Sequence, residues 1–235
     1  RSHGKSAELS PVPSSDGWHE GFDLVRLAEQ LVQLGCPPRV ALTGFSLGGQ
    51  LSLWGLKAAR AEKSPYIQMA AVLSPNLESD RSLTRLVEHP IGRIIEGVLA
   101  RELYQAAKLR GERFPESVKP GAIERVNSIR AFDREMVIDY YGFRTVKDYY
   151  YQTSGLYLLE GLELPHLLVY AADDPLFDGT LVPEIQQRAS RNTQTNLLLT
   201  PQGGHVSHIG SPTIQEDEFW GLNRLLEFCE ATLKQ

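Results

Sequence analysis

The segment Gly44-Phe45-Ser46-Leu47-Gly48 constrains this chain more than any other. Before it lies a short apolar run, Arg39–Thr43, that reads as a strand; after it, Leu47–Arg60 reads as a helix. A strand that turns directly into a helix through G-x-S-x-G brings its own backbone into close approach, which is why glycines flank the serine. The serine then sits on a strained turn with its oxygen exposed. The next amide, that of Leu47, falls at a helix N-terminus, where the helix dipole favours developing negative charge. Ser46 is the candidate nucleophile and Leu47 the candidate oxyanion donor. The competing reading is an ordinary glycine-rich turn.

A serine of this kind needs a base and a group that orients the base. Both follow in the order expected for strand-borne triads, each after a later strand. Asp173-Asp174-Pro175 follows a strand over Pro165–Ala172, and Gly203-Gly204-His205 follows a strand over Thr195–Thr200. Asp174 and His205 are 31 positions apart, enough for one helix (Leu181–Ser190) and one strand between them. Ligands of open parallel sheets gather at the C-terminal ends of the strands, where both loops emerge. His205 is the candidate base. Asp174 is preferred to Asp173 as the orienting acid because D-P-L-F places it at the start of the outgoing loop; Asp173 is then expected to bond loop amides. His208 is the alternative base, with a rim position expected from its offset. His3, His19, His89 and His166 are expected at the surface or at helix ends.

The remaining pattern reads as alternating strands and helices. A helix capped by Ser15 or Asp16 places Phe22, Val25, Ala28 and Leu31 on one face, and Ile67–Ser74 is a buried strand. Between Leu77 and Leu164 strand character disappears, and helices are expected around Leu83–His89, Gly92–Arg110 and Ala122–Tyr140. A final helix over Gln215–Leu233 carries the stripe Phe219, Leu222, Leu226, Cys229 and Leu233. The fold class is α/β: one domain over residues 1–235, built on a parallel sheet covered on both faces, with 77–164 inserted as a helical cap.

Composition narrows the function classes. Twenty-four Lys and Arg against 29 Asp and Glu leave a net charge of −5, with no basic excess for binding nucleic acid. No stretch of 18 apolar residues is present to form a spanning helix, and nothing at the start reads as a signal peptide. Two scattered cysteines, Cys36 and Cys229, fit a cytoplasmic protein better than a disulfide scaffold. No H-x-x-x-H or Cys/His cluster points to a metal, and no G-x-G-x-x-G after a strand points to a dinucleotide, so no cofactor is expected.

Three further features narrow the reading. Phe132-Asp133 lies in the helical section, followed by Gly142-Phe143 and Asp148-Tyr149-Tyr150, and Gly203-Gly204-His205 continues into Val206. Together with the serine turn, these make the chain resemble the α/β-hydrolases, and among them the YheT-like branch of bacterial hydrolases and eukaryotic abhydrolase-domain relatives. The resemblance covers nearly the whole chain. It implies cleavage of carboxylic esters, small molecules with lipid-like acyl groups among them. It also implies Ser46 as nucleophile, Asp174 as orienting acid and His205 as base. Arg1-Ser2-His3-Gly4-Lys5-Ser6 resembles the R-G-H-G-x-S loop of such enzymes with Ser2 in place of a glycine, which implies that the first strands of the sheet are absent. Leu47 is then the one oxyanion donor the sequence identifies, and Arg39–Thr43 an edge strand. The rival from another class is a non-catalytic or incomplete hydrolase-fold module that needs its missing part or a partner. Within the fold, a perhydrolase or a C–C bond hydrolase would use the same triad. The sequence does not fix oligomeric state.

Overall fold

The structure, a computed structural model, describes Arg1 and residues 4–234. Ser2, read above as replacing a loop glycine, and His3 lie outside the described residues. In chain order the elements are α1 (Glu20–Gln33), β1 (Val40–Phe45), α2 (Leu47–Ala61), β2 (Ile67–Leu73), α3 (Ser79–Glu88), α4 (Pro90–Arg113), α5 (Ile129–Phe132), a π-helical turn (Asp133–Val137), α6 (Ile138–Tyr141), α7 (Val146–Thr153), β3 (His166–Ala171), α8 (Leu181–Ser190), β4 (Thr195–Thr200) and α9 (Trp220–Leu233). They form two compact units. One holds Asp16–Glu78, Ser154–Pro175 and Gly179–Gln235 and contains the sheet. The other holds Arg1–Ser15, Ser79–Thr153 and Leu176–Asp178 and is helical.

The sheet unit has four parallel strands in the order β1-β2-β3-β4. Among the described residues no strand precedes β1, which forms one edge, with Phe45 and Thr43 exposed. The inner strands β2 and β3 are buried along almost their whole length, which explains their near-continuous apolar sequence. Side-chain alternation divides the two faces. Met69, Ala71 and Leu73 of β2 join Leu167 and Val169 of β3 under Leu225 and Cys229 of α9. On the opposite face, α2 lies so close that a Cβ on Gly49 would meet Val72 and one on Gly55 would meet Leu42.

Two helix readings change here. The first helix begins at Glu20 rather than after Asp16, because Asp16 and Gly17 take positive φ (53° and 108°) and the Glu20 carboxylate accepts the Gly17 N–H at 3.1 Å. Phe22, read as core, is 39% exposed. The last helix begins at Trp220, and its most buried positions are Gly221, Leu225 and Cys229. Phe219 and Leu226 are exposed. The step of three and four was right, but the stripe is turned by one residue, because Gly221 is what permits close approach to β2.

In the helical unit, the helix expected from Ala122 starts at Ile129, where the Ser128 side chain accepts the Ala131 N–H at 3.0 Å and caps it. The π-helical turn follows at once. Its Asp133 is buried and accepts a hydrogen bond from the Tyr150 hydroxyl, which joins the F-D and D-Y-Y segments. Gly142 ends α6 in the left-handed conformation (φ 77°), and Phe143 packs edge-on against Tyr149 with ring centroids 5.3 Å apart. Tyr149 and Tyr150 are therefore packing residues of this unit, while Tyr140 and Tyr151 are exposed.

Two buried histidines give the fold a pH dependence. His166, expected at the surface, is fully buried at the start of β3. Its Nδ1 lies 2.8 Å from the Leu164 carbonyl oxygen and its Nε2 2.8 Å from Thr195 Oγ1. Those partners fit the neutral ring, with Nδ1–H donating and Nε2 accepting. Burial pushes the pKa values of both His166 and His208 below the ordinary histidine value of about 6.5. The unfolded chain then takes up these protons before the folded one does, so stability is full above about pH 6.5 and falls as the pH drops below it. Urea unfolding midpoints are expected to decline between pH 7 and pH 5, and His166→Gln is expected to flatten that decline. A decline unchanged in His166→Gln would remove His166 from the account.

Candidate active site

β1 delivers Ser46 to the C-terminal edge of the sheet, and α2 begins at the next residue. Ser46 takes φ 50°, ψ −122°, a backbone conformation that L side chains rarely adopt. Its neighbours hold it there. Its N–H donates to the Leu73 carbonyl at 3.1 Å, and its own carbonyl accepts from Asn76 N–H and Gly49 N–H, both at 3.0 Å. Gly44 is indispensable to the turn, since a Cβ there would lie 2.2 Å from the Gly48 carbonyl oxygen. Gly48 differs from its reading as a crowded position: a Cβ there would meet nothing within 4 Å. The crowded neighbour is Gly49, pressed against Pro75 and Val72.

The loops after β3 and β4 bring the other two residues to the serine. His205 Nε2 lies 3.0 Å from Ser46 Oγ, and His205 Nδ1 lies 2.9 Å from Asp174 Oδ2. With Nδ1–H donating to the carboxylate, Nε2 is left to accept the Ser46 hydroxyl proton. The Asp174 side chain is 2% exposed and that of His205 16%, so the pair is shielded but the imidazole keeps an open side. Asp173, the neighbouring acid, points elsewhere: its Oδ1 accepts the Gly204 N–H at 2.9 Å and ties the two loops together. The Leu47 amide is the first of α2, among the N–H groups that have no partner within a helix.

Sequence reasoning missed two supports. Ser74, just past β2, takes φ 44°, and its hydroxyl accepts the Val206 N–H beside the imidazole at 3.4 Å. His208 is not a rim residue but is buried. It stacks on Trp220 at 6.1 Å between ring centroids, and its Nε2 lies 3.1 Å from Thr200 Oγ1. It belongs to the packing between the β4 loop and α9. His19 and His89 do sit at helix starts, and the His89 ring accepts the Ile91 N–H at the head of α4. Among the described residues no group of three His, Cys, Asp or Glu side chains is placed to hold a metal ion, and no helix is long and apolar enough to cross a membrane. Cys36 is an exposed free thiol and Cys229 a buried one.

A parallel sheet with a strained serine turn, followed by acid and histidine loops in that order, defines a class, and the comparisons agree. The alpha/beta hydrolase family profile matches residues 1–218, and the chain belongs to that family. Its place is in the YheT-like branch. A Synechocystis protein named "Putative esterase slr0264" is 41% identical over 98% of this chain and 67% of its own length. The Escherichia coli protein YheT, which bears the same designation, is 27% identical over 86% of this chain and 58% of its own. Mouse "Phospholipase ABHD3" is 28% identical over 71% of this chain and 39% of its own. Candida antarctica lipase A in its closed state has the same fold, with a TM-score of 0.58 at 13% identity, over 93% of this chain and 55% of that one. The chain thus spans two thirds or less of the lengths of these proteins.

Proposed function

We propose that this chain carries the hydrolytic centre of a carboxylester hydrolase, acting through Ser46, His205 and Asp174 and an acyl-enzyme on small esters with lipid-like acyl groups. The observation that supports it most is the pair of contacts on one imidazole, 3.0 Å to Ser46 Oγ and 2.9 Å to Asp174 Oδ2. The esterase and phospholipase names of the relatives support the choice of ester and of a lipid-like acyl group.

In this reading His205 Nε2 takes the Ser46 proton as Oγ attacks the ester carbonyl. The Leu47 amide, fixed at the start of α2, donates to the oxyanion that forms. Asp174 holds the imidazole in the accepting tautomer and stabilises its charged form. The protonated imidazole then gives its proton to the departing alkoxide as the tetrahedral intermediate collapses. Water, deprotonated by the same nitrogen, attacks the acyl-serine and releases the carboxylic acid and free Ser46. Asp173, by bonding the Gly204 amide, sets the position of the loop that bears the base.

A fluorophosphonate probe tests the reading on the 235-residue chain. Covalent labelling at Ser46 is the expected result. An unlabelled but folded chain would overturn the reading and favour the non-catalytic module.

A further inference from the structure

The loop that carries His205 is closed on itself. Gly203 opens it and His208 ends it. The His208 side chain folds back against the start of the loop: a Cβ on Gly203 would lie 2.6 Å from His208 Nε2 and 2.7 Å from its Cδ2. The ring therefore packs directly on the backbone two residues before His205. His208 is 5% exposed, and its ring stacks on Trp220 with 19° between the planes.

The loop is strained and has to be held. Gly204 and Val206 both take positive φ (58° and 53°), and a β-branched residue adopts that conformation only where its surroundings impose it. Asp173 ties the front of the loop by accepting the Gly204 N–H, and the Ser74 hydroxyl accepts the Val206 N–H in the middle. The back is tied through His208. Its carbonyl accepts the Gly221 N–H at 2.9 Å, and α9 comes so close that a Cβ on Gly221 would lie 2.9 Å from His208 Cβ. A hydrogen bond sets the rotation of the ring. The Thr200 hydroxyl donates to the Tyr170 carbonyl at 3.3 Å, which leaves its oxygen to accept from His208 Nε2–H at 3.1 Å. Nδ1 of that tautomer is buried without a hydrogen-bond partner, so a proton there would have no acceptor and the ring is kept neutral.

The geometry points to His208 as a positioning residue for the base. Its neutral ring, packed on Gly203 and Trp220 and bonded to Thr200, fixes the Gly203–His208 loop and with it the reach of the His205 imidazole to Ser46 and Asp174. It acts through His205 and not on the reacting atoms. This role rests on the reading of His205 as the base. That imidazole has to meet two partners at once, at 3.0 Å and 2.9 Å, so a loop that slackens by about 1 Å loses one of them.

The test uses the 235-residue chain well below its thermal midpoint. His208→Ala is expected to lower the rate of fluorophosphonate labelling, and kcat on p-nitrophenyl butyrate, by about 10–10²-fold, with KM within about twofold of wild type. His208→Gln, whose amide can donate to Thr200 Oγ1, should recover most of that loss. Leu225→Ala, which removes packing from the same helix, should lower the thermal midpoint and leave the labelling rate unchanged. A second readout needs no turnover. In the chain with 15N-labelled histidine, the His205 Nδ1–H proton bonded to Asp174 gives a far-downfield signal, assigned by its loss in Asp174→Asn. The signal should persist in His208→Gln and Leu225→Ala and disappear in His208→Ala. If the wild type shows this signal but is not labelled, the reaction assigned to Ser46 falls and the signal alone decides the role of His208. An unchanged labelling rate and signal in folded His208→Ala, an equal loss in Leu225→Ala, or a wild-type chain without the signal would each overturn the proposal. Should His208→Ala fail to fold, Thr200→Val takes its place: it removes the acceptor of His208 Nε2–H, a smaller loss of labelling is expected, and no loss would overturn the role.

Discussion

Ser46→Ala will abolish fluorophosphonate labelling and lower ester turnover by about 10⁴-fold or more, while the thermal midpoint stays within a few degrees of wild type. The size of the effect follows from the proposed mechanism, in which the triad works as one unit: without the nucleophile, the base and the oxyanion donor have nothing to act on. The unchanged stability follows from the local geometry. Ser46 owes its φ of 50° to backbone hydrogen bonds with Leu73, Gly49 and Asn76, and alanine keeps all of them. The hydroxyl contributes only its bond to His205, at 3.0 Å. Labelling and turnover should therefore vanish together without unfolding. Turnover that persisted in Ser46→Ala would remove Ser46 from the mechanism.

The second large effect is on stability and separates two glycines that look equivalent in the sequence. Gly44→Ala will destabilise the chain by about 3 kcal/mol or more. The new methyl would lie 2.2 Å from the Gly48 carbonyl oxygen, 2.4 Å from its carbonyl carbon and 2.8 Å from Gly49 N. All three are backbone atoms of the first turn of α2, held in place by the Ser52 hydroxyl donating to Gly48 O at 2.9 Å. They cannot swing aside as a side chain would. Gly48→Ala meets open space inside a helix, where alanine is favoured over glycine by roughly 0.5–1 kcal/mol, so it should be neutral or stabilising. Urea unfolding of the two variants measures the contrast. Equal midpoints would mean that backbone crowding does not set this turn.

Much of the sheet was legible because its signals are local. Apolar runs bounded by glycine and proline located all four strands to within two residues at either end, and α8 fell on its expected residues. Ser46, Asp174 and His205 were legible as a set because strand ends and loop motifs place them; their roles await the probe. What could not be read depends on tertiary contact. The burial of His166 comes from Leu164 and Thr195, and a histidine at a strand start carries no mark of such partners. His208 is likewise fixed by Trp220 and Thr200. The one-residue turn of the α9 stripe reflects Gly221, which a hydrophobicity pattern does not count as core. In the helical unit, Ser128 is a cap residue by type, and the helix does start beside it. The π-helical turn that follows leaves no periodic signal, because it breaks the 3.6-residue step on which such reading depends.

The strand order has a consequence for how the chain is made. β2, the most apolar strand, pairs with β1 on one side and β3 on the other. β1 precedes it closely, but β3 emerges only after about 90 further residues, most of them in the helical unit. At roughly 5–20 residues per second, a ribosome leaves one edge of β2 unpaired for on the order of 5–20 s. During that interval the growing polypeptide presents an open apolar ladder. Slower translation between Ser79 and Thr153 would lengthen that exposure, and aggregation during synthesis would grow with the delay.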